Sequence, residues 1–233
     1  MKFEQLRREV CQANQALSQT GLVALTFGNV SGVDRQANVM AIKPSGVEYK
    51  RLHPNDIVVL SLETSETVEG NLRASSDTPT HLILYQELVH IGGIVHTHST
   101  FATSWAQAQR QIPCLGTTHA DHFYGPVPVT RQLTAEEIKS NYEQNTGKVI
   151  RDLLAKDDHP EQIPAALVPQ HGPFVWGRTP AAALENAIAL EEVARTALYT
   201  CLLNSNPEPL SKALLDKHFN RKHGSDAYYG QED

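Results

Sequence analysis

His96 and His98 stand one residue apart at the end of the apolar run Ile94-Val95, a spacing that lets two imidazoles share one metal ion. On an extended strand, side chains i and i+2 point to the same face, roughly 6 to 7 Å apart at the Cβ atoms, within reach of a common cation. A cation held this way polarises a carbonyl. Two further residues suit such a centre: Asp77, at the entrance of an expected helix, and His171, at the tip of an expected hairpin. Tight turns hold side chains in defined directions without apolar burial. Taken singly, Asp77 serves equally well as a helix-entry carboxylate, and His171 as an exposed turn histidine.

The elements that must carry these residues are legible in outline. Phe3, Leu6, Val10, Ala13 and Leu17 recur at helical spacing, with Gly21 as a stop signal. Short β-like pieces are expected at Leu22–Thr26, Val39–Ile42 and Ile57–Ser61, separated by turn-rich stretches at Ser31–Asp34 and Pro44–Gly46. A second helix should begin near Pro79 with Thr78 or Ser76 as N-cap, leading to a buried strand, Gly92–Val95, that ends in the two histidines. Ser99 or Thr100 caps a helix over Phe101–Ala108, and a strand and loop follow from Ile112 to Val129.

Thr134-Ala135-Glu136-Glu137 has the form of a capping box, opening a helix that Gly147 weakens. After a polar surface loop over Lys156–Glu161, Ala166–Val168 and Phe174–Trp176 flank a turn and predict a hairpin with His171 at its tip. Thr179-Pro180 opens a long Ala-rich helix to about Leu203, and a last helix runs from about Leu210 to Lys222. Helices interleaved with hairpin-joined strands predict an α/β chain with a central, largely antiparallel or mixed sheet covered by helices.

The chain has 233 residues, 40% of them hydrophobic and 20% charged, enough for one substantial core, and reads as a single domain over 1–233. A net charge of -6 with no basic stripe argues against nucleic acid as a partner. The charged start, Met1 to Arg8, lacks the apolar core of a signal peptide, and no later run is apolar enough to span a bilayer, so a cytoplasmic protein without a membrane role is expected. Cys11, Cys114 and Cys201 are few and widely spaced, as free thiols used for packing would be.

Six motifs appear in order: Gly28-Asn29-Val30-Ser31, Lys43-Pro44-Ser45-Gly46-Val47, Ser75-Ser76-Asp77-Thr78-Pro79-Thr80-His81, His96-Thr97-His98-Ser99, Gly116-Thr117-Thr118-His119-Ala120-Asp121 and Gln170-His171-Gly172-Pro173. Together with the tail Leu215-Asp216-Lys217-His218 and Ala227-Tyr228-Tyr229-Gly230-Gln231, they closely resemble the L-ribulose-5-phosphate 4-epimerases of the class II aldolase family. The resemblance covers nearly the whole chain. It implies a three-layer sandwich and one divalent metal per subunit, usually zinc with manganese or cobalt as substitutes, on Asp77, His96, His98 and His171. It also implies a sugar-phosphate substrate held by Asn29, Lys43, Ser45, Gly46, Ser75 and Ser76, with Thr117, Glu143 and His218 as neighbours of the site. The glycine and serine motifs contain no P-loop, so a nucleoside triphosphate is not expected.

The C4 hydrogen of a ketose phosphate is not α to the C2 carbonyl, so inversion by simple proton removal is hard. The resemblance implies cleavage and re-formation of the C3–C4 bond instead, with Asp121 and Tyr229 moving protons on opposite faces of the aldehyde fragment. Several of these groups would come from a neighbouring subunit of a cyclic homotetramer with active sites at its interfaces. Related aldolases carry Glu where this chain has Asp77, whose shorter reach favours a ligand role and an epimerase. A sugar-phosphate aldolase of the fuculose-phosphate type is the alternative. The non-catalytic adducin head, which resembles the same fold, predicts damaged ligand positions, and all four are intact here.

Overall fold

The structure is a computed structural model that describes residues 2–156, 159–225 and 227–229. Asp157 and Asp158 of the expected surface loop, and Gly230 and Gln231 of the tail motif, lie outside the described residues. Helix α1 (Glu4–Leu17) opens the chain and buries Leu6, Val10, Ala13 and Leu17, the stripe that its spacing predicts. Four strands follow, β1 (Asn29–Asp34), β2 (Val39–Ile42), β3 (Val58–Ser61) and the short β4 (Thr67–Glu69). Helix α2 (Thr78–Glu87) then leads into β5 (Gly93–His96), followed by α3 (Thr100–Gln107), the single turn α4 (Thr117–Ala120) and α5 (Ala135–Leu154). The hairpin β6 (Ala165–Val168) and β7 (Gly172–Gly177) precedes the long α6 (Pro180–Leu203) and the terminal α7 (Lys212–His223).

The strands form one seven-stranded sheet in the order β4-β3-β2-β1-β5-β7-β6, with every neighbouring pair antiparallel. Period-two alternation divides its side chains between two cores. Met40, Ile42, Ile94, Phe174 and Trp176 pack with Leu82, Tyr85 and Ile150 on the face covered by α2 and α5. Val95 and Val175 pack with Trp105, Ala183 and Leu190 on the face covered by α3 and α6, and Val39 and Ala41 meet Leu6 and Val10 of α1 on that same side. The result is the three-layer sandwich, and no helix among the described residues is long and apolar enough to cross a membrane.

The segments before Val39 differ from expectation. Leu22–Thr26 is not a strand: Gly21 and Leu25 have left-handed φ values of 78° and 53°, and Phe27 N–H closes a turn on the Ala24 carbonyl. Ser31–Asp34, expected as a turn, belongs to β1 at the sheet's centre. There β2 and β5 take its backbone groups on both sides, and the Ser31 hydroxyl bonds His81 Nδ1 at 2.7 Å and the Tyr85 hydroxyl at 2.8 Å. Tertiary pairing overrides the turn preference of Ser and Gly here.

Other differences concern helix ends and pairing. The N-cap of α2 is Asp77 rather than Thr78 or Ser76, yet its carboxylate makes no capping bond. The strand carrying the histidine pair stops at His96, so His98 lies beyond the ladder. Between Ile112 and Val129 the expected strand is reduced to single bridges, Ile112 to Val127 and Val129 to Leu167, around α4. The capping box at Thr134 forms as expected, and α5 kinks at Asn141, whose φ of -134° and ψ of 70° are non-helical. Cys11 and Cys114 are buried and Cys201 half-buried, all three as free thiols.

β5 runs close beneath the start of α6. A Cβ placed on Gly93 would fall 2.5 Å from the Pro180 backbone, which cannot swing aside as a side chain can. Gly93→Ala should therefore cost about 1–3 kcal/mol of stability, the usual overpacking range. A urea unfolding midpoint that falls at unchanged m-value checks this.

Candidate active site

Pairing of β5 with β7 sets Phe174 opposite His96, and the two rings stack with centroids 4.2 Å apart. His96 is buried, with Nδ1 3.0 Å from the Pro173 carbonyl oxygen. A carbonyl only accepts, so Nδ1 carries the proton and Nε2 keeps its lone pair. His98 is exposed just past the strand, and His171 lies on the β6–β7 turn. Their ring centroids lie 5.0 Å and 4.7 Å from that of His96, respectively, and 5.1 Å from each other. One donor nitrogen from each of the three imidazoles lies within 4.8 Å of the other two.

Gly172 permits this convergence, since a Cβ there would come within 2.6 Å of the Thr97 carbonyl oxygen. Burial pushes His171 down to about 3, helped by the neighbouring His96 and His98, and burial lowers His96 as well against the pull of Asp77. Neutral imidazole is the ligating form, so both rings are ready to donate at pH 7. Three nitrogen donors with space beside them fit a divalent cation of borderline hardness.

Asp77, the N-cap residue of α2, shares the cavity with this trio but is not among the donors that lie within 4.8 Å of one another. Its Oδ2 accepts from the Asn29 amide at 2.7 Å and from the Ser75 hydroxyl at 3.4 Å, which draw it sideways from the cap position. Burial pushes the carboxyl up, but the nearby imidazoles and the Asn29 amide outweigh it and hold Asp77 below the usual carboxylate range. Asn29 itself stands opposite His96 in the β1–β5 ladder, and its buried Oδ1 has no partner among the described residues.

A cavity of about 360 Å³ opens over these groups. Asn29, Lys43, Ser45, Gly46, Ser75, Ser76, Asp77, His96, His98, Glu143 and His171 all line it, so eleven of the fifteen residues singled out from sequence share one space. In the same cavity Lys43 is buried without a carboxylate partner among the described residues: its Nζ lies 3.3 Å from the Pro44 carbonyl oxygen and 4.8 Å from the centre of the Tyr49 ring. Desolvation pushes its pKa down to about 8. A buried cation without an anionic partner is costly, and here carbonyl and ring contacts alone offset its desolvation.

The remaining four residues do not line that cavity. Thr117 begins α4, and Asp121 follows its end. The Asp121 carboxylate accepts from His218 Nδ1 at 3.1 Å and from Arg221, Nε to Oδ1 at 2.9 Å and Nη2 to Oδ2 at 2.7 Å. Tyr229 returns over the same helix, its N–H donating to the Arg221 carbonyl at 3.1 Å and its ring centre 4.6 Å from the guanidinium carbon. Burial pushes Asp121 up, and the hydrogen bonds from Arg221 and His218 more than offset this, holding it below its ordinary value. Asp121, His218, Arg221 and Tyr229 thus form their own cluster on α7, the end of α4 and the tail.

Sequence reasoning missed three residues at these sites. Tyr49 anchors the loop above Lys43, its hydroxyl donating at 2.8 Å to the Phe27 and Gly28 carbonyls. Arg221 lies three residues past His218, a spacing that puts both on one helix face and was available as a signal. Tyr142, next to Glu143, is turned into the cavity just after the Asn141 kink, with its hydroxyl 3.2 Å from His171 Nδ1. When Nδ1–H donates to that hydroxyl, His171 Nε2 is left for a cation, as Pro173 leaves that of His96. Tyr142→Phe should weaken divalent metal binding about 10- to 100-fold, measured by chelator competition, with the fold unchanged.

Comparisons with known proteins agree with this architecture. The chain is 49% identical over 230 residues to the L-ribulose-5-phosphate 4-epimerase UlaF of Salmonella paratyphi A and to that of Salmonella typhi, covering 99% of this chain and 100% of each relative. An L-fuculose 1-phosphate aldolase structure superposes with a TM-score of 0.79 at 26% identity, covering 95% of this chain and 97% of that one. The L-fuculose-1-phosphate aldolase of Thermus thermophilus shares the fold at a TM-score of 0.67 and 24% identity, over 87% of this chain and 98% of that one. Residues 8–198 match the family of class II aldolase and adducin N-terminal domains, and the chain belongs to that family.

Proposed function

We propose that this chain is a metal-dependent epimerase that interconverts L-ribulose 5-phosphate and D-xylulose 5-phosphate by breaking and re-forming the C3–C4 bond. The observation that carries the reading is the cavity itself, which a three-imidazole cluster shares with a buried Lys43 that has no carboxylate partner among the described residues. That pairing suits a substrate with a chelating oxygen pair at one end and a phosphate at the other. The 49% identity to curated epimerases over essentially the full chain supports the same substrate.

In this reading His96, His98, His171 and Asp77 hold one zinc ion, with manganese or cobalt as substitutes, in a subunit that is one catalytic domain over 1–233. When bound, the cation supplies a Lewis acid for the substrate carbonyl and its adjacent hydroxyl. Lys43 receives the phosphate with Ser45, the Gly46 amide, Ser75 and Ser76, at the electropositive start of α2. The open acceptor on Asn29 takes a substrate hydroxyl. Anchoring the phosphate keeps the two-carbon aldehyde fragment in place while its other face turns to be attacked.

Asp121 and Tyr229 exchange the C4 hydroxyl proton on opposite faces of that fragment, with Thr117 and His218 beside them and Glu143 facing them from the cavity. Because their cluster does not line the cavity of its own chain, a second copy brings them there, in a cytoplasmic cyclic homotetramer with active sites between subunits. Bidirectional proton exchange needs both groups, so neither can be replaced by water without loss.

Incubation with L-ribulose 5-phosphate should give D-xylulose 5-phosphate with no accumulation of free glycolaldehyde phosphate; dominant aldehyde release would make the protein an aldolase instead. Asp121→Asn and Tyr229→Phe should each lower turnover by about two to four orders of magnitude, and wild-type rates in both would reject the acid/base assignment. Lys43 gives a separate pH signature. With its pKa lowered to about 8, it is charged below that pH and loses its charge as pH rises through it. kcat/KM should therefore fall above pH 8 chiefly through a rise in KM, and Lys43→Met should raise KM at neutral pH and erase that limb.

A further inference from the structure

We propose that Arg221 is a positioning residue that holds Asp121 and Tyr229 in one fixed arrangement, so that the two proton-exchanging groups act as a preset pair. The proposal rests on the acid/base reading of those two residues. Its own ground is geometric. The guanidinium grips both oxygens of the Asp121 carboxylate, Nε on Oδ1 at 2.9 Å and Nη2 on Oδ2 at 2.7 Å, which fixes the carboxylate plane as well as its place. The Tyr229 ring lies against the guanidinium, 4.6 Å from its carbon. The Arg221 carbonyl accepts the N–H groups of Tyr228 at 2.9 Å and Tyr229 at 3.1 Å, folding the tail back over the side chain that it touches.

Two parts of one residue therefore act together. The backbone carbonyl returns the tail to α7, which any amino acid at this position would do. Only a planar fork can then clamp a carboxylate in two places while presenting a face to a phenol. The aromatic contact and the ion pair both run through this group, so a displaced guanidinium shifts both acid/base residues.

Arg221 also sets the charge of Asp121. The groups around that carboxylate are His218 and Arg221 on its oxygens, His223 donating to its backbone carbonyl at 2.8 Å, and His122 beside it with Lys222 3.3 Å from His122 Nε2. The other ionisable groups described on these elements are His119 on α4, Lys212, Asp216 and Lys217 on α7, Tyr124 after α4, and the tail tyrosines Tyr228 and Tyr229. Among them Arg221 is the permanent cation in direct contact, since histidine is charged only below its own pKa. Loss of that cation lets the burial of Asp121 act unopposed by it, and the carboxyl titrates higher.

The test compares R221Q, R221K, D121N and Y229F in the metal-loaded full-length enzyme, with metal content, oligomeric state and pH profiles measured on L-ribulose 5-phosphate. R221Q should lose about 10- to 100-fold in kcat, the scale of misplacing a reacting group, with metal content retained. The acidic limb of its kcat/KM profile should move to higher pH, and added guanidinium should restore part of the rate to R221Q but none to D121N. R221K keeps the charge without the fork, so its acidic limb should stay near wild type while kcat falls; it carries the test alone if R221Q does not fold.

Wild-type kcat in R221Q or R221K, with D121N and Y229F inactive, would overturn the positioning role while leaving the acid/base reading intact. A slow R221Q with an unmoved acidic limb and no response to guanidinium would likewise reduce Arg221 to a structural contact. Full activity in D121N and Y229F would remove the reading itself, and the role of Arg221 with it.

Discussion

His96 sits opposite Phe174 in the β5–β7 ladder, and the imidazole side of the cavity follows from that register. A slip of one residue would turn the His96 side chain from the α2 and α5 face to the α3 and α6 face, away from Asp77 and Asn29. The same ladder puts the Pro173 carbonyl under His96 Nδ1 and brings the β6–β7 turn, with His171, alongside the segment leaving β5. Geometry and charge state are then set together. Burial holds His96 and His171 in the neutral form, the state in which imidazole can donate to a cation.

The cavity is arranged around charges left without local compensation. Lys43 has carbonyl and ring neighbours but no carboxylate, and Asp77 receives hydrogen bonds from Asn29 and Ser75 without forming the cap that its place in α2 would allow. Asn29 spends both amide hydrogens on these neighbours and leaves its oxygen open. A fold selected for stability alone would pair or expose such groups. Here β1, the residues after β2 and the start of α2 place them around one cavity. Deeper in the core, the Ser31 hydroxyl ties His81 Nδ1 and the Tyr85 hydroxyl of α2 to β1, while the buried His81 Nε2 has no partner among the described residues.

How much of this could be read from sequence depends on whether a segment's structure is decided locally. α1 carries its own periodicity, and α5 and α6 their own side-chain caps, and all three form where expected. The β6–β7 hairpin is likewise a local pattern of two apolar runs around a turn. β1 is not local: Asn-Val-Ser-Gly reads as a turn until β2 and β5 bind both of its edges, and Asn29 becomes a floor residue of the site only through that pairing. Gly147 lowers helix propensity in isolation, yet it sits against Ile83, where a Cβ would find only 3.0 Å of clearance, so the α2–α5 contact favours it. The ordered motifs named the residues of the cavity, but the distance between their two groups, one around the imidazoles and one around Asp121, is a property of tertiary structure alone. Tyr142 escaped notice for a related reason, since only the Asn141 kink turns it inward.

The α4–α7 cluster is built differently from the cavity, and the contrast bears on how the two would work together. α7 has no fully buried residue. It is fastened to α4 by polar and aromatic contacts: Tyr124 donates to Asp216 and receives Lys212, Phe219 packs 4.8 Å from the Tyr124 ring, and Arg221 and His218 hold Asp121. A helix anchored by hydrophobic burial tolerates small sliding motions, because the attraction is non-directional. One anchored by hydrogen bonds and a two-point ion pair does not, because each bond has a narrow range of length and angle. In the proposed assembly this block must present an acid and a base to a cavity on another copy with sub-ångström accuracy. Directional bonds on the presenting side, and a cavity set by sheet register on the receiving side, are the two means by which a fold can meet that tolerance without a covalent link between them.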